Sequence, residues 1–200
     1  MQVILSTRNP SKTQQVRTLF VGSFVDIVTL TEAGVEGEAL EDGETLEQNA
    51  LKKALFAHDN SNEKIWAMAD DTGLFIDALR GDPGVRAARW AGEDAETEEI
   101  TRYTLERLKG IKDRSATFKT VVAVVSPNRE HHFFDGIVRG YLLEEPRAKP
   151  QPKMPYSPIF VPEGEDRVWA EMDVEYENNI SHRGKAFRKV RKFLEQTLTT

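Results

Sequence analysis

The sequence predicts an α/β fold. Short apolar runs of strand length recur at residues 3–7, 24–30, 65–69, 74–79, 116–125 and 132–142. Between them lie stretches whose apolar residues fall three and four apart, the spacing of a helix with one buried face. At 200 residues and 39% hydrophobic, the chain can build one sizeable core, in one domain or two closely joined lobes.

The first element is the strand at residues 3–7. Arg8-Asn9-Pro10-Ser11-Lys12 follows, then Val16, Leu19 and Phe20 at helical spacing. Asn9 or Ser11 can cap this helix, and Pro10 suits its first turn. A strand feeding a capped helix start, flanked by Arg8 and Lys12, is a ready anion site. The glycine patterns of a P-loop or a dinucleotide fingerprint are absent. After the second strand, an acidic loop carries Glu36, Glu38, Glu41, Asp42 and Glu44, most of which need only water. Thr45 or a neighbour opens a helix with Leu46, Ala50, Leu51, Ala54 and Leu55 on its buried stripe. Asn49 and Lys53, four apart, share another face, turned either to a cleft or to water.

The chain is organised around the next stretch, IWAMADDTGLFIDALRGDPG, which starts at Ile65. It reads as two strands, closed by the turn Gly81-Asp82-Pro83-Gly84. Asp70, Asp71, Thr72 and Gly73 fall at the break between them. Adjacent carboxylates at the end of a buried strand need a compensating cation. A divalent metal suits, because hard cations prefer carboxylate oxygen. The doublet alone reads equally well as a solvated turn.

Arg86 and Arg89 follow. Thr97 is placed to cap a helix with Ile100, Tyr103, Leu105 and Leu108 as its apolar positions. Residues 116–125 are a valine-rich strand, and 132–142 return beside it, antiparallel. His131 and His132 read as strand residues rather than ligands. Five of the nine prolines then fall between residues 144 and 158, which marks a stiffened surface loop. A last helix, capped by Ser181, turns Phe187, Val190, Phe193 or Leu194, and Leu198 inward. His182, Arg183 and Lys185 crowd its first turn against the helix dipole, which points to a bound anion.

Composition excludes several classes. No apolar run approaches the ~20 residues of a membrane span. There is no cysteine, hence no disulfide framework and no thiolate metal site. A net charge of −6 argues against a broad nucleic-acid footprint. The N-terminus lacks the basic start and apolar stretch of a signal peptide, so a soluble, cytoplasmic protein is expected.

Four motifs coincide in order. STRNPSK carries a T-x-N-x-x-K pattern, and EDGETLEQNALKKA an E-x-G-x-T…N-A-x-x-K-A pattern. ADDTGL precedes PGVRAARWAG, and NNISHRGKA carries I-S-H-R. Together they resemble the inosine triphosphate pyrophosphatase family, from about residue 3 to 190. That family hydrolyses noncanonical purine nucleoside triphosphates, such as those of deoxyinosine and xanthosine. The resemblance implies one domain over residues 1–200, an elongated mixed sheet flanked by helices, and two lobes with the active site in the cleft between. It implies cleavage between the α- and β-phosphates, Mg²⁺ and a homodimer. Carried over by position, Thr7, Arg8, Asn9 and Lys12 hold the triphosphate, Lys53 and Arg89 add charge, and Thr72 lies beside it. Glu41, Asp70 and Asp71 form the metal site, and Asp71, supported by Lys53, is the general base. His182 and Arg183 lie at the base and sugar end.

The base end departs from the family. Its loop has a glycine-rich F-G-Y-D where this chain has Met154, Pro155, Tyr156 and Ser157. A Lys shortly before S-H-R is replaced by Glu177. An ionised carboxylate offers only acceptors. Bases presenting an amino group are therefore expected to gain over inosine and xanthosine, unless a neighbour such as Lys153 restores the donor. Two alternatives stay open: the same chemistry on a different base, and an inactive nucleotide-binding regulator.

Overall fold

The structure, a computed structural model, describes residues 1–61 and 65–197. In chain order the elements are β1 (Gln2–Leu5), α1 (Pro10–Leu19), β2 (Asp26–Thr29), α2 (Leu46–Asn60), β3 (Trp66–Ile76), β4 (Pro83–Gly84), α3 (Thr97–Arg107), β5 (Ser115–Val125), β6 (His131–Leu142), β7 (Phe160–Pro162), α4 (Val174–Ile180) and α5 (His182–Thr197). The strands form one mixed sheet in the order β2-β1-β3-β5-β6-β7, with β4 beside β3. β1 runs parallel to both its neighbours, and the later pairs are antiparallel.

The expected break at Asp70-Asp71 is absent. β3 runs unbroken through it, Asp70 opposite Val122 and Asp71 opposite Val121 of β5. The long β5 ladder satisfies this backbone, so local turn chemistry has nothing to gain. What does break is the other edge of β3. β1 pairs only as far as Met68, where the Ser6 N–H donates to the Met68 carbonyl at 2.8 Å and the chain turns away. β4 joins only at Leu74 and Phe75. Among the described residues, 69–73 therefore have no strand on that side, and a gap opens at the carboxyl end of β1. Open α/β sheets bind ligands at such ends.

The helices close the two faces. α2 buries Leu46, Asn49, Ala50, Lys53, Ala54 and Ala57, while Leu51 and Leu55 are only half-buried. Asn49 and Lys53 thus lie on the inward face. α5 buries Phe187, Val190 and Leu194 against Val3, Val16, Val122 and Val124. A second cluster gathers Leu74, Ile76, Phe118, Phe160 and Trp169 beyond the gap. Each large apolar side chain so buried stabilises by about 1.5–3 kcal/mol.

One helix cap shifts by a residue. Glu96, not Thr97, caps α3, in a capping box with Glu99. A short helix, α4, precedes α5, and Ser181 caps α5 as expected, its hydroxyl accepting the Gly184 N–H at 3.0 Å. Leu198 lies outside the described residues. Gly136 of β6 admits the first turn of α5, since a Cβ there would stand 2.0 Å from the His182 carbonyl oxygen.

Candidate active site

A cleft of about 320 Å³ occupies the gap beside β3. Successive side chains of a strand point to opposite faces, and Asp70 and Asp71 obey this. Asp70 faces α1 and α5. Its Oδ2 lies 3.0 Å from Lys12 Nζ and 3.3 Å from Arg183 Nε. Asp71 faces α2, where Oδ1 accepts from Lys53 Nζ at 2.8 Å and Oδ2 from Asn49 Nδ2 at 3.2 Å. Both still line the cleft, because no strand covers this part of β3.

Their protonation differs. Burial pushes the Asp70 carboxyl up, but Lys12 and then Arg183 outweigh it and hold the group well below the ordinary carboxylate range. Burial prevails at Asp71 and raises it, although Lys53 pulls the other way. Lys53 is itself pushed down by burial, yet Asp71 and Glu41 more than restore it, so it stays an ammonium. Burial lowers Lys12 by more than Asp70 raises it.

The first helix start is built as expected. The Asn9 side-chain carbonyl accepts from the N–H groups of Ser11 and Lys12 at 3.0 and 3.3 Å, and Thr7 Oγ1 accepts from the Asn9 N–H at 3.2 Å. Asn9 Nδ2 and Ser11 Oγ donate to the carbonyls of Lys153 and Pro152, which docks the proline-rich loop on α1. Arg8 reaches the acidic loop, at 2.8 Å to the Gly37 carbonyl and 3.4 Å to Glu38.

The structure brings some of the expected groups together and holds others apart. Glu41, Asp70 and Asp71 are not gathered as one ligand set. Among the described residues no three His, Asp or Glu side chains stand close enough to hold an ion. Strand alternation separates the two aspartates, and the Lys53 ammonium sits 3.1 Å from Glu41 and 2.8 Å from Asp71. Arg89 lies off the cleft lining and donates to the Glu41 main-chain carbonyl, so it holds the acidic loop. The anion facing the start of α5 is the chain's own Asp70, which Arg183 meets. His182 is no cation: burial, and then the Arg183 charge, push it well below its usual value. It hydrogen-bonds Thr120 at 2.7 Å, and Thr120 bonds Thr72 at 2.7 Å, linking α5 to β3 across β5.

At the other end, Met154 lines the cleft and Tyr156 is buried. The Tyr156 hydroxyl donates to the Ala87 carbonyl at 2.7 Å, and its ring meets Phe118 edge-on. Ser157 Oγ accepts the Gln151 N–H at 2.9 Å and donates to the Met154 carbonyl at 2.8 Å, which shapes the loop. Glu177 does not offer bare acceptors to a ligand. Gln15 Nε2 donates to one of its oxygens at 2.5 Å and Gln151 Nε2 to the other at 3.4 Å.

Asn49, expected with Lys53 on a face turned to a cleft or to water, faces Asp71; Gln15, Gln151, Thr120, Phe118 and Trp169 were not singled out by the sequence as cleft residues or their direct supports. For Gln15 a signal existed, one helical turn from Lys12. The others come together only through sheet register and loop docking.

The profile of the Ham1 family matches residues 3–193. The chain belongs to the Ham1 family. It is 38% identical over 200 residues to the dITP/XTP pyrophosphatase of Caldanaerobacter subterraneus subsp. tengcongensis, covering 99% of this chain and 98% of that one. It is 37% identical over 196 residues to the dITP/XTP pyrophosphatase of Bacillus subtilis, covering 97% of each. Among solved structures, a HAM1 protein from Coxiella burnetii superposes with a TM-score of 0.85 at 33% identity, over 98% of this chain and 99% of that one. The curled mixed sheet flanked by helices is thus the Ham1 fold, and nothing in these likenesses supports a changed base or a lost activity.

Proposed function

We propose that this protein hydrolyses noncanonical purine nucleoside triphosphates, of the deoxyinosine and xanthosine kind, to the monophosphate and pyrophosphate. Relatives named as dITP/XTP pyrophosphatases at 37–38% identity over nearly the whole chain support the substrate class. The observation that carries the chemistry is Asp71. It is a buried carboxylate whose proton affinity is raised, held on both oxygens by Lys53 and Asn49 at the edge of an open cleft. Such a group suits a general base, which takes a proton from attacking water.

The triphosphate fits between the α1 start and α2. Lys12 and Lys53 exchange carboxylate oxygen for phosphate oxygen as it enters, and the Asn9-capped helix start offers N–H groups. Cleavage falls between the α- and β-phosphates. The cleft's five cations, Arg8, Lys12, Lys53, Lys153 and Arg183, are matched by five acids, Glu38, Glu41, Asp70, Asp71 and Glu177. A triphosphate therefore needs further positive charge to settle there. Mg²⁺ fits this need: it is bound by one or two carboxylates together with substrate phosphates, not by an all-protein cage. Asp70 Oδ1, buried and without a hydrogen-bond partner among the described residues, is a donor atom in waiting; Asp71 and Glu41, which Lys53 now holds, would have to turn from that ammonium to join it. When bound, the ion supplies charge neutralisation and a more acidic water. Homodimer formation and a cytoplasmic location are further expectations from the family, and no helix among the described residues is long and apolar enough to cross a membrane.

The test is a turnover screen over nucleoside triphosphates with Mg²⁺, measuring pyrophosphate and orthophosphate separately. Pyrophosphate release, fastest from inosine, deoxyinosine or xanthosine triphosphate, is expected. Orthophosphate without pyrophosphate would overturn the reading.

A further inference from the structure

If the protein hydrolyses such triphosphates, as proposed above, its cleft must tell one base from another. Glu177 is 3% exposed, and each of its oxygens accepts from a glutamine amide. An ionised carboxylate only accepts, so Gln15 and Gln151 must both turn their amino ends toward it. Their opposite ends then differ. Gln15 Oε1 accepts from Arg183 Nη1 at 2.7 Å. Gln151 Oε1 is buried, and among the described residues nothing donates to it.

Gln151 is not loose. Its N–H donates to Ser157 Oγ at 2.9 Å, and its main-chain carbonyl accepts from the Met154 N–H at 2.9 Å. Within this network of Glu177, Gln15 and Gln151 the unpaired atom is Gln151 Oε1, and Gln151 lines the same cleft as Phe118, Tyr156 and Trp169, whose Nε1 also lacks a partner among the described residues. A buried acceptor without a donor is costly, and a ligand that brings a donor removes the cost.

We infer that Gln151 reads the base, its side-chain carbonyl accepting the ring N–H of an oxo-purine, and that Glu177 is the residue that positions it. Hypoxanthine and xanthine carry a hydrogen on N1. Adenine carries a lone pair there, which an acceptor repels. A site built to pair with an N–H rejects the analogue lacking it far more strongly than shape alone does. Glu177 acts through Gln151. Without its carboxylate the amide can turn over and present N–H to the ligand.

The experiment measures kcat/KM for inosine and adenosine triphosphates in wild type, Gln151→Leu, Glu177→Leu and the double variant. Gln151→Leu is expected to lower the inosine-to-adenosine ratio by at least ~10-fold, with the loss carried by KM more than kcat. Glu177→Leu is expected to lower the ratio too, but to add nothing in the Gln151→Leu background, because the two act as one unit. Additive losses would overturn the positioning role, and an unchanged ratio in Gln151→Leu would overturn the inference while the functional reading stands. Should the variants fail to fold, wild type decides: inosine triphosphate methylated at N1 is expected to lose at least ~10-fold in kcat/KM against its parent. Equal values would overturn the inference. Pyrophosphate from neither parent nucleotide would overturn the functional reading and this one with it.

Discussion

Replacing Asp71 with Asn separates the catalytic and structural duties of one carboxylate. The exchange keeps shape but turns one accepting oxygen into a donating amino group. That group must face either Lys53 Nζ or Asn49 Nδ2, which now lie 2.8 and 3.2 Å from the carboxylate and are both donors. Asn49 cannot relieve the clash by turning over, because its carbonyl oxygen already accepts the Gly43 N–H at 2.8 Å. A buried mismatch of this kind costs about 1–3 kcal/mol. For a chain of this length each kcal/mol is about 2–4 °C, so Tm should fall by roughly 2–12 °C. The catalytic loss is larger. Removing a general base costs about 10²–10⁴ in rate, or roughly 2.7–5.5 kcal/mol of barrier. The assay is pyrophosphate release under saturating triphosphate, with thermal unfolding measured in parallel. Adding Lys53→Met to Asp71→Asn removes the clashing donor, so part of the Tm should return while kcat does not. A single variant with near-normal kcat would remove Asp71 from the mechanism. A loss of rate that recovers together with Tm in the double variant would reduce its role to structure.

Three further outcomes follow from the same geometry. Gly136→Ala should displace the first turn of α5, because the new Cβ would stand 2.0 Å from the His182 carbonyl oxygen; a Tm drop with a raised KM is expected, and an unchanged KM would show that His182 and Arg183 tolerate the shift. Stability should fall as pH drops below about 6.5, because the unfolded chain then binds a proton at His182 that the folded chain refuses. The slope approaches about 1.4 kcal/mol per pH unit, read from urea midpoints between pH 7.5 and 5.5, and it should shrink in His182→Gln. Chelation of divalent ions should abolish turnover and added Mg²⁺ restore it, whereas full activity in excess chelator would remove the ion from the reaction.

Much of this protein was legible along the chain, and the reason is local physics. The Asn9 cap and Pro10 define the start of α1 within four residues. The valine-rich runs define β5, and the 3.6-residue period defines α2. The motif set around Thr7, Lys53, Asp70 and His182 singled out, without any coordinates, residues that line one cleft. What the sequence could not decide depended on partners far away. The Asp70-Asp71 doublet looks like a turn in isolation, yet the β5 ladder holds it straight and sends the two carboxylates to opposite faces. The charges of the α5 first turn look unpaired until β3 brings Asp70 beneath Arg183, 113 residues away in the chain. Glu177 looks like a bare acceptor at the base until Gln15 and Gln151 arrive from two other segments to occupy it. The sequence by itself determined the elements and the chemical inventory of the site, because those follow from neighbours three or four residues apart. Only the tertiary structure decided which charge meets which, because burial and pairing are set by the sheet register and loop docking that join distant segments.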